Sequence, residues 1–242
     1  MGILRTKTIE PATGSTLTLG ASGDTITVSS DSIKANTFKD AGGNTLFTSD
    51  GAGTLSSVNS GFAGGGPILI STSTASGSSS IEITSGIDST YDEYMFVFTD
   101  INPATDTATF DFQVNVDGQS GYNETITSSA FVAHHNEGGG DPALTYLTTC
   151  DQAQGTAYQV IGAGGLGNGS DESAAGILHL FSPSNTTYVT HFYSRFQIQT
   201  NHEYSFDYYA AGYVNVTGAI DEISFKMSSG NMDGVIQMYG IK

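Results

Sequence analysis

Alternation of apolar and polar residues constrains the fold of this chain more than any other sequence feature. In TFDFQVNVDG, Phe110, Phe112, Val114 and Val116 alternate with polar residues, which gives a strand one apolar side. Similar runs rich in Tyr, Phe, Val, Ile and Thr, separated by turn residues, continue to the C-terminus. About eight to eleven such strands predict an all-β, jelly-roll-like sandwich over residues 67–242.

Residues 1–60 follow a different pattern. TLTLGASGDTITV and NTLFTSDGAGTL each place two short alternating strands around a turn of Gly, Ser, Asp or Ala. Strands this short are marginal in water, so we predict a repetitive, oligomeric β stalk whose copies bury their apolar residues around a common axis. A tail that becomes ordered only on a partner is the alternative. The predicted docking and trimer contacts are Leu17, Leu19, Ile26, Val28, Phe38, Leu46, Phe47 and Leu55.

The glycine-rich stretch GFAGGG, residues 61–66, is predicted to be the linker between the two segments. The chain therefore divides into a docking segment, a linker and a sandwich head.

The charge of the chain argues against nucleic acid as a partner. The formal net charge is −17, and no Lys or Arg occurs between Lys39 and Arg195. Phosphate backbones are bound by clustered cations, which this distribution does not supply. The sequence also predicts no membrane insertion, and MGILRTKTIE does not read as a signal peptide.

One motif suggests nucleotide binding. In YQVIGAGGLGNG, Gly162, Gly164 and Gly167 fit G-x-G-x-x-G after a strand-like segment. A dinucleotide fold also needs a helix opening at the third glycine and an acidic residue about 20 positions later. The sequence offers neither, so we predict a glycine-rich loop, no cofactor and no catalytic residues.

Metal binding is open on the sequence alone. His134 and His135 are adjacent, and neighbouring side chains on a strand face opposite sides of a sheet. TSDGAGT and VDGQSGYN supply oxygen ligands but do not complete a calcium loop. A divalent cation therefore stays a candidate without assignable ligands.

Tyrosines mark the candidate recognition surface. EYSFDYYAAGYVNV places aromatic rings and hydroxyls beside a carboxylate, a mixture that suits glycan stacking and hydrogen bonding. The alternative is that most of these tyrosines fill the sandwich or a subunit interface. Two turn-rich loops add further candidates. The predicted receptor or glycan contacts are Tyr204, Asp207, Tyr208, Tyr209, Tyr213, His135 and Asn185.

Three segments carry a family resemblance. KTIEPATGSTLTLGASGDTITV, FKDAGGNTLFTSDGAGTLSSVNS and GVIQMYGIK resemble parts of structural proteins of marine tailed bacteriophages, especially tail fibres of cyanophage type. The resemblance implies a homotrimeric virion component, made in the host cytoplasm, whose N-terminal segment docks on other virion proteins and whose sandwich is turned outward. The chain departs from long tail fibres in having almost no shaft.

Two functions follow from the resemblance. As a short tail fibre, the protein would bind a host cell-surface glycan or outer-membrane component through the sandwich. As a capsid decoration, cement or tail accessory protein, it would have a purely structural role.

Overall fold

The computed structural model describes residues 35–52, 55–56, 58–59 and 66–242. The chain divides into two compact units, one ending at Gly64 and one beginning at Gly65. Every regular element among the described residues is a β-strand. Four of the predicted trimer contacts lie outside the described residues: Leu17, Leu19, Ile26 and Val28.

The described part of the first unit is a small antiparallel sheet. It contains β1 (Thr37–Lys39), β2 (Thr45–Ser49) and β3 (Leu55–Ser56), in the order β1-β2-β3. The rings of Phe38 and Phe47 stack across the β1–β2 pair with centroids 4.6 Å apart. Leu46 is half-buried, whereas Leu55 is 52% exposed. The apolar residues of this sheet are thus only partly covered within one chain.

The second unit contains a nine-stranded antiparallel sheet, named here the large sheet. Its strands follow the spatial order β10-β8-β14-β13-β12-β6-β16-β4, and β9 also pairs with β8. The strands are β4 (Ile68–Ser78), β6 (Glu93–Pro103), β8 (Ile126–Asn136), β9 (Ala143–Tyr146), β10 (Ala153–Gly155), β12 (Ala174–Phe181), β13 (Thr190–Gln199), β14 (Tyr204–Val214) and β16 (Met232–Ile241).

The small sheet packs on one face of the large sheet. It contains β5 (Ile81–Ile83), β7 (Ala108–Val116), β11 (Gln159–Leu166) and β15 (Ile220–Met227), in the order β11-β7-β15-β5. The chain crosses between sheets from β6 to β7 and back from β15 to β16, and β6 pairs with β16 while β7 pairs with β15. The predicted all-β sandwich is confirmed.

Aromatic rings fill the core between the two sheets. The Phe98 ring contacts Phe110, Phe196 and Phe225 with centroids 5.1 to 5.3 Å apart. All four side chains are fully or almost fully buried. Edge-to-face and tilted ring pairs such as these add to the free energy gained by burial.

The alternation predicted for β7 is confirmed, and the residues on its other side are buried as well. Phe110, Phe112 and Val114 are fully buried between the sheets. Asp111 and Gln113 point to the other side, yet they are also buried. Loops cover this outer face of the small sheet, and the Gln113 amide donates to three of their carbonyl oxygens, at 2.9, 3.3 and 3.0 Å.

The prediction of a glycine-rich loop was wrong for most of the motif, because Gln159–Leu166 forms strand β11 of the small sheet and only Gly167 and Gly169 follow it. Gly162 pairs with Phe110, and Gly164 has a φ of 110°. A Cβ atom at Gly164 would lie 2.2 Å from the Phe206 ring. The glycines therefore allow close packing between strands, and no helix opens after them in the described chain.

Candidate binding surface

The outer face of the large sheet, turned away from the small sheet, carries most of the exposed apolar side chains. Five of the eight exposed large apolar residues in the described chain lie on it. They are Leu69, Phe131, Leu144, Tyr146 and Tyr193. Leu69 lies on the edge strand β4, whereas the other four lie on β8, β9 and β13 in the opposite half of the sheet. Clustered exposed apolar side chains mark interaction sites in soluble proteins.

One cross-strand row combines rings with a charged group. In register across β9, β8, β14 and β13 lie Tyr146, Phe131, Tyr209 and Arg195, named here the aromatic row. The Phe131 and Tyr209 rings stack with centroids 4.7 Å apart and planes at 9°. Tyr146 is 51% exposed, and its hydroxyl donates to Asp151 Oδ2 at 2.6 Å. The row spans three strand spacings, about 14 Å.

An ion pair fixes the end of the aromatic row. Arg195 Nε and Nη2 donate to the two Asp207 carboxylate oxygens at 2.9 and 2.8 Å. The Tyr209 hydroxyl donates to the same carboxylate at 3.2 Å, and the guanidinium lies 5.2 Å from the Tyr209 ring centroid. The hydrogen bond from Arg195 lowers the pKa of Asp207, so the carboxylate stays charged at neutral pH. Free N–H groups and lone pairs on this pair can bind ligand hydroxyls.

A cleft of about 510 Å³ opens beside the aromatic row. Its wall contains His135 on β8, Leu144 on β9, and Ser205 and Asp207 on β14. Leu144 is 73% exposed and presents an apolar edge to the cleft. Asp207 belongs to both the ion pair and the cleft, so one ligand could contact the two together.

A second cleft, of about 530 Å³, lies at the opposite end of the strands. Asn185, Tyr188 and His191 are among its lining residues. Asn185 Oδ1 accepts the backbone N–H groups of Thr187 and Tyr188 at 2.7 and 2.9 Å. The side-chain oxygen of Asn185 therefore stabilises its own loop.

The structure divides the predicted contacts among several places. Asp207, Tyr209 and His135 are brought together at the first cleft and the aromatic row. Tyr213 lies near His191, with ring centroids 6.1 Å apart, at the end of the sheet that holds the second cleft.

Two predicted contacts do not lie on this face. Tyr204 points away from the aromatic row, because residues alternate along β14, and its hydroxyl donates to Asp141 at 3.0 Å. The assignment of Tyr208 was wrong: its side chain is 0% exposed and its hydroxyl donates to the Val160 carbonyl at 3.3 Å. It fills the core instead.

Four residues of this surface were not predicted from the sequence: Phe131, Leu144, Tyr146 and Arg195. Phe131 lies in SSAFVAHHN, where small and apolar residues occur on both faces of the strand, so the sequence does not show which face is turned outward. The register of β8 with β9 and β14 then decides that Tyr146 and Tyr209 are its neighbours.

The side chains of the two adjacent histidines lie on opposite faces of β8, as the sequence predicted. The His134 ring contacts Phe206, with centroids 4.8 Å apart, whereas His135 is exposed on the other face. Among the described residues, no group of three or more His, Cys, Asp or Glu side chains could hold a metal ion. The same residues contain no helix long and apolar enough to cross a membrane.

No protein-family model matches the chain, and comparison with curated proteins and with solved structures gives no match.

Proposed function

We propose that this protein is a short homotrimeric tail fibre of a bacteriophage virion. Residues 1–60 attach it to other virion proteins, and the sandwich binds a glycan or outer-membrane component of the host surface. The three segments similar to tail fibres of marine tailed phages support the virion assignment.

The observation that carries the binding role is the exposed aromatic row beside the first cleft. Ring faces at Tyr146 and Phe131 can stack on the apolar faces of sugar rings. The Arg195–Asp207 pair holds donors and acceptors in a fixed geometry next to those rings. Three copies in one trimer would combine weak sites into stable attachment.

A capsid decoration or tail accessory role is the second candidate. The apolar outward positions on β6 and β12, such as Val97 and Ile177, favour protein contacts over glycan contacts. In this role the sandwich would clamp neighbouring virion subunits.

Binding of the fluorescently labelled full-length protein to cyanobacterial host cells tests the proposal. We expect saturable binding that falls about tenfold in Tyr146→Ala and Phe131→Ala, since truncating a central aromatic contact costs over about 1 kcal/mol. Tyr188→Ala is the matched control, because Tyr188 is 71% exposed but belongs to the second cleft.

Two results would count against this role. Loss of binding in Tyr188→Ala alone would move the contact to the second cleft. No binding to cells, together with tight binding to virions lacking the protein, would favour the structural role.

A further inference from the structure

Three neighbouring strands of the large sheet carry apolar residues on both faces, with a few polar residues among those on the outer face. In EYMFVF of β6, Tyr94, Phe96 and Phe98 are buried in the core, while Met95 and Val97 point to the outer face. Strand β12 has Ile177 and Phe181 on the outer face with His179 between them, and β16 has Val235 and Tyr239 with Gln237 between them. Strands covered on both faces are near-continuously apolar, whereas strands with one solvated face alternate.

Strand β13 of the same sheet provides the contrast. Its inward residues include Phe192 and Phe196, and its outward residues include Arg195 and Gln197. The sequence of β13 is thus typical of a strand with one face in water. The sequences of β6, β12 and β16 are typical of covered strands, yet the small sheet covers only one of their faces.

The uncovered positions form one contiguous area, named here the uncharged patch. On β12, Ile177 pairs with Val97; on β16, Tyr239 pairs with both Met95 and Leu69. The patch consists of the exposed Leu69 and the half-buried Met95, Val97, Ile177, Val235 and Tyr239, with the uncharged Gln237 among them. The patch spans three strand spacings, about 14 Å, and three side-chain rows, about 13 Å along the strands, which gives it an area of about 200 Å².

Charge identifies what can cover the patch. Among the described outward-facing or exposed residues of β6, β12 and β16, three carry a formal charge: Glu93, Asp100 and Asp233. Glu93 contacts His179, and Asp233 lies toward the end of the sheet, where it accepts the Gly77 N–H at 2.7 Å. The exposed Asp100 lies toward the same end of the sheet as Asp233. Two chains that each carry a net charge of −17 repel one another, so a close contact between copies is favoured where acidic groups are few. A basic partner would instead be drawn to the acidic surface.

The size of the patch also favours a second copy. Stable complexes bury about 800 Å² on each partner, about four times the area of the patch. The patch is therefore too small to hold independent proteins together. It is sufficient for copies already linked elsewhere, because linkage raises their effective concentration.

We propose that the uncharged patch is a contact between copies of this chain, facing the axis of the trimer. The inference rests on the proposed homotrimer and adds the sandwich to the segment at residues 1–60 as an assembly surface. A contact at the uncharged patch leaves the aromatic row free to bind the host surface, because the row lies on the other half of the same face.

Cysteine accessibility in the full-length protein tests the contact. Leu69→Cys places a thiol in the patch and Phe131→Cys places one in the aromatic row, while native Cys150 is buried. Leu69 is 50% exposed and Phe131 40% exposed in the single chain. We expect maleimide to label Leu69→Cys at least tenfold more slowly than Phe131→Cys in the trimer. In an isolated chain, Leu69→Cys would be labelled faster, because position 69 is the more exposed of the two.

A charge substitution gives a second readout. Val97→Glu places like charges together at the contact and should weaken assembly at least tenfold. Gln197→Glu makes a similar change on β13 and should leave assembly unchanged. Circular dichroism spectra matching the wild type show that both variants fold.

Three outcomes separate the two proposals. A wild-type mass of one chain in light scattering overturns the trimer and the contact together. A trimeric mass with fast labelling of Leu69→Cys overturns the contact and leaves the trimer standing. Protection of Leu69→Cys that appears only on virions assigns the patch to another virion protein, and also overturns the contact.

Discussion

Substitution of Asp111 by Asn should stabilise the sandwich at neutral and alkaline pH. Asp111 lies on β7 under the loops that cover the small sheet, with 6% of its surface exposed. Its Oδ1 has no hydrogen-bond partner. Lys226, its cross-strand neighbour, places its ammonium over the Tyr158 ring, 4.0 Å from the centroid.

Burial raises the pKa of Asp111 to about 6, although a hydrogen bond from Thr109 and attraction to Lys226 act in the opposite direction. A change of one in pKa corresponds to about 1.4 kcal/mol, so a rise from 3.8 to about 6 corresponds to about 3 kcal/mol. Because the folded pKa lies above the unfolded one, the charged carboxylate destabilises the fold above pH 6. The destabilisation fades between pH 6 and pH 4 and is absent at lower pH.

Urea unfolding at pH 8 and pH 4, followed by circular dichroism at one protein concentration, measures this effect. We expect the free energy of unfolding of Asp111→Asn to exceed that of the wild type by about 2 to 3 kcal/mol at pH 8, with most of the difference gone at pH 4. Asp117→Asn removes an exposed carboxylate and should change stability by under about 0.5 kcal/mol. An equal gain at both pH values, or none at pH 8, would refute the reasoning.

Three further substitutions test the fold. Gly164→Ala should lower the free energy of unfolding by over about 2 kcal/mol, because the φ of Gly164 is positive and the added Cβ would clash with the Phe206 ring. Gly118→Ala is the control: its φ is also positive, but no atom lies near the added Cβ, so it should cost about 1 kcal/mol. Gln113→Leu should cost about 1 to 3 kcal/mol and speed hydrogen exchange in the loops that its amide holds, whereas unchanged exchange would contradict that role. Phe98→Ala should cost about 3 to 5 kcal/mol in urea unfolding, and a cost under about 1 kcal/mol would contradict its central place in the core.

Much of the sandwich could be predicted from local sequence. Phe110, Phe112 and Val114 are buried as their alternation with polar residues indicates, because the period of a strand fixes which side chains share a face. The period does not say what lies over the opposite face. Asp111 and Gln113 therefore read as solvent-facing residues, whereas loops distant in sequence bury them.

The candidate site was only partly predictable for a related reason. Tyr208 and Tyr209 are adjacent and chemically alike, so composition cannot decide which of them faces the core. The face that β14 turns toward the small sheet decides which tyrosine is buried. Tyr208 lies on that face, whereas Tyr209 lies on the outer face in the aromatic row. Arg195 meets Asp207 through pairing between β13 and β14, and Phe131 meets Tyr146 through pairing of β8 with β9. Register across strands is a tertiary property that a single strand's pattern does not contain.

Competition with virion adsorption tests the central claim most directly. Under the proposed function, host cells are incubated with excess full-length protein before a phage bearing this fibre is added, and the rate of adsorption is measured. A receptor-binding fibre predicts slower adsorption with wild-type protein and with Tyr188→Ala, and nearly normal adsorption with Tyr146→Ala. Unchanged adsorption with saturating wild-type protein would contradict the account.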